Sequence, residues 1–449
     1  MRTILVVKKF ISKQILDIKI YGPRELFRKF CLLILLPKYL VKIILNIIAV
    51  LPCILIRLIS PWFVIRIEQL PASNFGNFAS FPALYYCKKK LKINQPAKKF
   101  LDLVYISHNQ KNCNKQMVKM WKRKLNFLSP YLLNPIYRAN KIIPGSKTHT
   151  IEILNSISER DVNNLFERCQ PILEFTSDEE VYGKKMLNKF GLKDEDKFVC
   201  FAVRDEAYDI MRITKRFKDW SYHDFRNNDI NNYVLAAEEL TKKGYYVFRM
   251  GVVAEKPFKS NNPKIIDYAN SNLRSDFMDI YLGAKCSFCI SSNFGPLNLF
   301  EIFGKLIAQV SVPFASSHTH SEKSLILTPH HILKREKREL SLSEIFSYGV
   351  AYAFDTKIFN QQGIELVENT PEEIKDLALE VAENFESKKK STYEDEELQK
   401  TFKNLFSENY KFPNPIKDSN PYWKNPMVHG QIRACYGTKF LRDNKNWLS

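Results

Sequence analysis

Several side chains near the middle of this 449-residue chain have the types and spacing needed to hold an anion. Ser291-Ser292-Asn293-Phe294-Gly295-Pro296 is a small polar turn. Before it lies the apolar run Cys286–Ile290, and after it Leu297, Leu299, Phe300, Ile302 and Phe303 recur at near-helical spacing. A strand, a tight turn and a helix aim unpaired backbone N–H groups and a positive helix end at whatever lies above them. Phosphates bind at such places. Many such junctions bind nothing, so the neighbouring residues decide. Arg204 and Arg249 end two further expected strands, and a guanidinium fork meets two oxygens at once, which suits a diphosphate. Asp267 and Asp276 could hold the hydroxyls of a ribose or sugar, and Gly251, Arg274 and Ser275 complete the same rim. Each has a plainer role available: Arg204 with Asp205 as a salt bridge, Asp229 and Asp276 as helix caps.

Other chemistries find less support. His108, His223, His318, His320, His330 and His331 lack a partner carboxylate or thiol at helical spacing, so no side-chain metal site is expected. The P-loop, dinucleotide and nucleophile-elbow patterns are all missing. Nine Cys residues are scattered, and the pair Cys286 and Cys289 falls within an expected strand, as core thiols of a reducing compartment would.

The elements that must position the rim follow from periodicity. Phe198–Val203, Tyr245–Met250, Lys264–Asp267, Cys286–Ile290 and Leu306–Val310 read as strands. Helices capped by Asp229 and by Ser275-Asp276 alternate with them, the first stopped by Gly244. The series predicts a doubly wound parallel sheet, whose ligands sit beyond the carboxyl ends of its strands. Upstream, strands over Phe63–Ile67 and Leu101–Ile106, the turn Asn74–Asn77 and a basic helix over Asn114–Leu125 predict a smaller α/β domain. Thr370-Pro371-Glu372-Glu373 starts a helix that runs to about Glu386, and another follows over 392–408. The Pro- and Asn-rich tail from Pro413 reads as irregular and laid over other surfaces. The expected divisions are 1–61, 62–180, 181–345 and 346–449.

Charge is distributed unevenly. Residues 1–150 carry 27 Lys and Arg against 4 Asp and Glu, so the whole net charge of +20 lies in the first third. Apolar runs at Cys31–Leu36 and Ile43–Ile56 lie within that basic stretch, broken by Pro37, Lys38, Lys42 and Pro52. A bilayer span needs about 20 uninterrupted apolar residues. We read residues 1–61 as a segment lying in or dipping into a membrane interface, with a tilted span and a buried hairpin as the alternatives. No small-residue cleavage signature marks a secretory leader. Basic charge beside broken apolar sequence favours an anionic membrane surface over nucleic acid, for which no module is present.

The runs Val203-Arg204-Asp205, Tyr222–Asp229, Gly244–Gly251, Ile266–Ala269 and Arg274–Leu282 together resemble a family of bacterial glycosyltransferases from surface-polysaccharide gene clusters. The resemblance is specific over about 198–315 and weaker over 62–125. It implies a GT-B-like α/β fold: two Rossmann-like domains facing across a cleft, behind a membrane-associated N-terminal segment. It also implies that the first domain takes a glycan or lipid-linked acceptor and the second a nucleotide-sugar donor, with the C-terminal helices and tail packing back on the first. The donor would be a substrate, with no cofactor and no metal. Donor binding falls to Arg204, Arg249, Asp276, Ser291, Ser292 and Gly295, with Gly251, Asp267, Arg274 and Ser275 on the same rim. The place of work would be the cytoplasmic face of the inner membrane, peripheral or monotopic.

In such a transfer a diphosphate departs, and arginines and a helix N-terminus stabilise its charge. Glu68, His108 and Asp205 are the candidates for taking the acceptor's proton. Two rivals share the sequence features: a nucleotide-sugar epimerase or hydrolase on the same fold, and a non-catalytic membrane-bound polysaccharide-assembly scaffold.

Overall fold

A computed structural model describes residues 44–151, 163–205, 221–292, 295–314, 324–351, 355–388, 390–409 and 432–449, together with isolated positions 22, 23, 27, 161, 207, 321, 322 and 353. The apolar run Cys31–Leu36, the segment 152–160, Tyr208, Arg212, Trp220, Asn293, Phe294, His318 and His320 lie outside the described residues.

The main elements run α1 (Val50–Ile59), β1 (Phe63–Gln69), α2 (Phe75–Lys90), β2 (Lys99–Tyr105), α3 (Lys115–Lys124), α4 (Pro130–Ile142) and α5 (Ser177–Lys189). Then come β3 (Phe198–Ala202), α6 (Val234–Lys242), β4 (Tyr246–Arg249), β5 (Ile265–Ile266), α7 (Asp276–Lys285), β6 (Phe288–Ser291), α8 (Leu297–Ile302) and β7 (Leu306–Gln309). The remainder is β8 (Leu325–Ile326), β9 (His330–Leu333), β10 (Arg338–Glu339), β11 (Ile364–Val367), α9 (Pro371–Phe385), α10 (Tyr393–Asn409), β12 (Cys435–Tyr436) and α11 (Thr438–Asp443).

The chain divides into two compact units. Unit 1 is residues 1–69, 96–107 and 126–151, and unit 2 is 70–95, 108–125 and 152–449. In unit 1, β1 and β2 pair in parallel, and single parallel bridges add Thr150 beside Ile67 and Phe127 beside Val104. Their core joins Ile67 and Tyr105 to Leu133, Ile136 and Tyr137 of α4 and Cys53 of α1. α4 starts where its sequence says it should: the Ser129 hydroxyl accepts from the Tyr131 N–H, and Pro130 occupies the first turn.

Unit 2 is built on a seven-stranded sheet of order β12-β8-β7-β6-β3-β4-β5, with every pair parallel. All five residues of β3 are buried, as a strand covered on both faces requires. Val199, Phe201 and Val203 enter one core with α6, α9 and α10, while Phe198, Cys200 and Ala202 enter another with Met278, Tyr281 and Leu282 of α7. The sheet is thus the middle layer of an α/β/α sandwich. Successive strands run outward from β3 on one side and from β6 on the other, so the order reverses between these two. This is the doubly wound parallel sheet that the strand–helix series predicts. A separate antiparallel sheet, β10-β9-β11, belongs to the same unit.

Local signals account for the element ends. Gly244, at φ +94°, closes α6 in a conformation that suits glycine. Thr370 and Glu373 form a reciprocal capping box at the start of α9. Three expectations need correction. Asp229 caps a short 3-10 turn, Ile230–Tyr233, that precedes α6. Asn74–Asn77 is a helix start, with Asn74 at the N-cap position of α2. The tail is not wholly irregular. Cys435–Tyr436 pairs with Leu325–Ile326 as an edge strand, and the buried Tyr436 ring stacks on Trp447 at 4.7 Å. Two residues are too few for a periodic signal, so that strand exists only through its partner and its buried ring.

Candidate functional site

The reversal between β3 and β6 brings the sequence-predicted residues to one edge of unit 2. Strand register sets Ala202 beside Ser291 and Ser291 beside Gln309, and sets Phe201 beside Arg249. Polar groups thus begin where the apolar strands end.

The two serines link the strands. Ser291 Oγ lies 2.8 Å from the Ala202 carbonyl and 2.7 Å from that of Ser292. Ser292 Oγ accepts from the Arg204 N–H at 2.7 Å. Both serines are fully buried, so their hydroxyls hold the switch point together. Arg204 is half-buried, and its Nε donates to Asn227 Oδ1 at 3.0 Å. The Asn228 N–H in turn donates to the Arg204 carbonyl at 2.9 Å. Asn227-Asn228 therefore props the arginine. The run Arg226-Asn227-Asn228-Asp229 signals polarity in the sequence but not this partner.

Arg249 is placed differently. It is 1% exposed and lies between two carboxylates. Its Nη2 donates to Asp205 Oδ2 at 3.0 Å, and its Nη1 donates to Asp267 Oδ1 and the Lys256 carbonyl, both at 3.3 Å. Its Nε is buried without a hydrogen-bond partner. Asp205 also accepts from the N–H groups of Ala207 and Glu255, at 3.1 and 3.0 Å. Asp267 accepts from the Phe258 N–H at 3.0 Å and Asn270 Nδ2 at 2.7 Å. This triad pins the loops that follow β3, β4 and β5. The guanidinium that the sequence suggests for a diphosphate is spent on that task. Gly251, two residues beyond β4, is half-buried, and an added Cβ would stand 3.2 Å from Ala269 Cβ.

A third cluster surrounds the start of α7. Ser275 Oγ accepts from the Met278 N–H at 3.2 Å as the N-cap. Arg274 Nη2 donates to Asp279 Oδ2 at 2.6 Å, and the Tyr268 hydroxyl donates to Asp279 Oδ1 at 2.8 Å. Burial raises the Asp279 carboxyl to about 6, against the lowering by Arg274 and Tyr268. Asp276 turns toward another helix: its carboxylate accepts from the Lys115 N–H and its carbonyl from Asn114 Nδ2, each at 2.8 Å. Asn114 itself caps α3. The starts of α3 and α7 thus meet, and the Asp276 carboxylate offsets two positive helix ends.

A second such meeting involves Gly295, exposed just before α8. A Cβ on Gly76, in the first turn of α2, would stand 2.8 Å from the Gly295 carbonyl oxygen. Only glycine permits that approach. The Asn74–Asn77 and Ser291–Pro296 stretches, which share the look of turns in the sequence, are neighbours in unit 2.

The three proton-acceptor candidates are separately placed. Asp205 belongs to the arginine triad. His108 is exposed in the turn after β2, in a segment assigned to unit 2. Glu68, in unit 1, is 3% exposed. It accepts from the Tyr137 hydroxyl at 2.5 Å and from the Gln69 N–H at 3.0 Å. Burial pushes its carboxyl up to about 7, although the Tyr137 bond, the Gln69 amide and Lys141 act the other way. Tyr137 is a partner that sequence reasoning missed, because 69 residues separate it from Glu68. Among the described residues, no group of three or more His, Cys, Asp or Glu side chains is arranged to hold a metal ion.

No family model matches the chain, and no curated protein matches it. Solved structures do resemble it. The ADP-heptose lipopolysaccharide heptosyltransferase II of E. coli is 12% identical, over 55% of this chain and 84% of that one, with a TM-score of 0.32. A glycosyl transferase family 9 protein from Veillonella parvula is 11% identical, over 73% and 98%, with a TM-score of 0.40. The dodecameric iron-containing heptosyltransferase TibC, solved with ADP-D-β-D-heptose, is 13% identical, over 56% and 59%, with a TM-score of 0.27. At these scores the likenesses are weak.

Proposed function

We propose that the chain is a GT-B-like glycosyltransferase with two Rossmann-like domains. It moves a sugar from a nucleotide-sugar donor to a hydroxyl of a cell-surface glycan or lipid-linked acceptor, with no resident metal or cofactor. The observation that supports this best is the position of Arg204 and Ser292 at the strand-order reversal of a doubly wound parallel sheet. Ligands of such sheets bind in the crevice at that reversal. The half-buried Arg204 guanidinium, steadied by Asn227, is suited to a departing diphosphate. The bond from the sugar's anomeric carbon to the diphosphate breaks, the acceptor oxygen bonds to that carbon, and its proton passes to a base. Asp205 is committed to Arg249. On this reading the protein works at the cytoplasmic face of the inner membrane, on its surface.

Calorimetric titration with ADP, UDP, GDP and CMP tests the reading. One nucleotide should bind, and Arg204→Ala should weaken that binding by about tenfold or more without changing the melting temperature, as loss of a charge-assisted contact predicts. A scaffold would bind none of the four. Free sugar released from the donor alone, at the rate seen with acceptor present, would favour a hydrolase.

A further inference from the structure

Unit 1 presents an unusual surface. Arg57 apart, the side chains of α1 are apolar, and only a narrow seam of it is covered. Ala49 and Cys53 are buried there, and Ile56 is partly so. The Cys53 thiol donates to the Ile136 carbonyl at 3.3 Å, and Arg57 donates to Asn140 Oδ1 at 2.8 Å and the Pro144 carbonyl at 3.0 Å. The pairing of 53 with 136 and of 57 with 140 means that α1 and α4 run side by side in the same direction, which brings Leu132 level with Ala49. Away from the seam, Ile47, Ile48, Leu51, Leu55 and Leu58 stand in solvent, Leu51 at 63% exposure. Trp62, just past the helix, is 76% exposed, and Ile142, beside Arg57 at the end of α4, is 82% exposed.

The charges around this surface are of one sign. Among the described residues of unit 1, the carboxylates are Glu68 and Asp102, and both are buried. Asp102 takes two hydrogen bonds from Arg66, at 2.7 and 2.9 Å, and Glu68 is held by Tyr137. The exposed charges are Lys98, Lys99, Lys141 and Lys147. A helix that is apolar all round belongs in a core or in lipid, and apolar patches of this extent mark interaction surfaces.

We infer that this face of unit 1 docks on an anionic lipid surface. The outer side of α1, Trp62 and the apolar side chains of α4 enter the boundary between headgroups and acyl chains, and the lysines meet the anionic headgroups. Tryptophan is favoured at that depth. Among the described residues, no helix is long and apolar enough to cross a membrane. A second copy is the weaker occupant, because a two-fold contact through this face would bring a wholly basic rim against itself. The inference stands on unit 1 alone and does not depend on the transferase reading.

Flotation of the full-length chain with vesicles of equal parts phosphatidylcholine and phosphatidylglycerol tests it. The wild type should float, and its partition should fall on adding salt or on using phosphatidylcholine alone. The exposed-face variant Leu51→Asp/Leu55→Asp/Leu58→Asp should lose about tenfold or more in partition with an unchanged circular dichroism spectrum. Trp62 supplies a second readout that needs no altered helix: vesicles should shift the protein's emission to shorter wavelength, and Trp62→Phe should abolish the shift. A triple variant that floats like the wild type would overturn the inference. So would a wild type that ignores the vesicles and elutes as a dimer, or emission indifferent to vesicles.

Discussion

The two units manage charge in opposite ways. Both described carboxylates of unit 1, Glu68 and Asp102, are inside, while Ile47, Ile48, Leu51, Leu55 and Leu58 are outside. Most of the large apolar side chains exposed among the described residues belong to this smaller unit. Unit 2 keeps a conventional core on each face of its sheet and pairs surface charges, as in Lys285 with Glu180 and Lys256 with Asp229. It also buries a polar side chain, but Arg249 is ion-paired on both sides, with Asp205 and with Asp267. Glu68 is a lone acid met by a phenol. A paired buried charge stays ionised and pins loops, whereas an unpaired buried acid shifts its titration toward neutrality.

Removing one member of the paired network should have the largest effect. Arg249→Ala leaves Asp205 and Asp267 without their common partner and should destabilise unit 2 by about 3–5 kcal/mol in urea unfolding. Arg249→Met should cost nearly as much. If either variant unfolds at the wild-type midpoint, the triad is not what holds these loops, and the contrast with Glu68 collapses.

The lone acid should reveal itself through pH. Its folded titration point, about 7, lies above its unfolded value. The folded state therefore holds the proton longer. This contribution is fully present below about pH 4, the ordinary carboxylate range, and is lost as pH rises through 7. The loss amounts to about 3 kcal/mol. Hydrogen exchange at β1 should accordingly quicken across that window beyond its intrinsic pH dependence, and Glu68→Gln should flatten the excess. An excess that persists in the variant would assign it elsewhere.

The smallest effect concerns helix starts. Gly76→Ala forces a methyl against the Gly295 carbonyl, and the backbone on one side must shift. A cost of about 1–3 kcal/mol in unit 2 is expected from overpacking of this kind. Gly145→Ala in unit 1 meets open space, so only its positive φ would be strained. A thermal melt of the two variants separates steric crowding from backbone strain.

Much of the sheet was legible because each of its strands from β3 to β7 is a short run that is largely apolar, with turn chemistry at its ends. Ser275, Thr370 and Gly244 announce helix ends by their own side chains or lack of one, and the structure places them there. The site was legible as a set of residues more than as a set of roles. Arg204 and Arg249 end neighbouring strands alike in sequence, yet one is half-buried beside Asn227 and the other is sealed between Asp205 and Asp267. Nothing near Arg249 in the chain announces that Asp205, 44 positions away, will meet it. Tyr137 and Glu68 pose the same difficulty across β1 and α4.

The sequence alone determined what depends on near neighbours: the strand–helix alternation, the caps, and the concentration of basic and apolar residues in the first third. These follow from local sterics, backbone hydrogen bonding and composition, which act within a few residues. The tertiary structure decided which polar groups were consumed within the fold and which apolar ones were left exposed. It bound Ser291, Ser292 and Arg249 internally, set Gly76 against Gly295, and left the outer face of α1 in solvent. Those outcomes depend on residues brought together from distant parts of the chain, and burial and ion pairing are properties of that assembly.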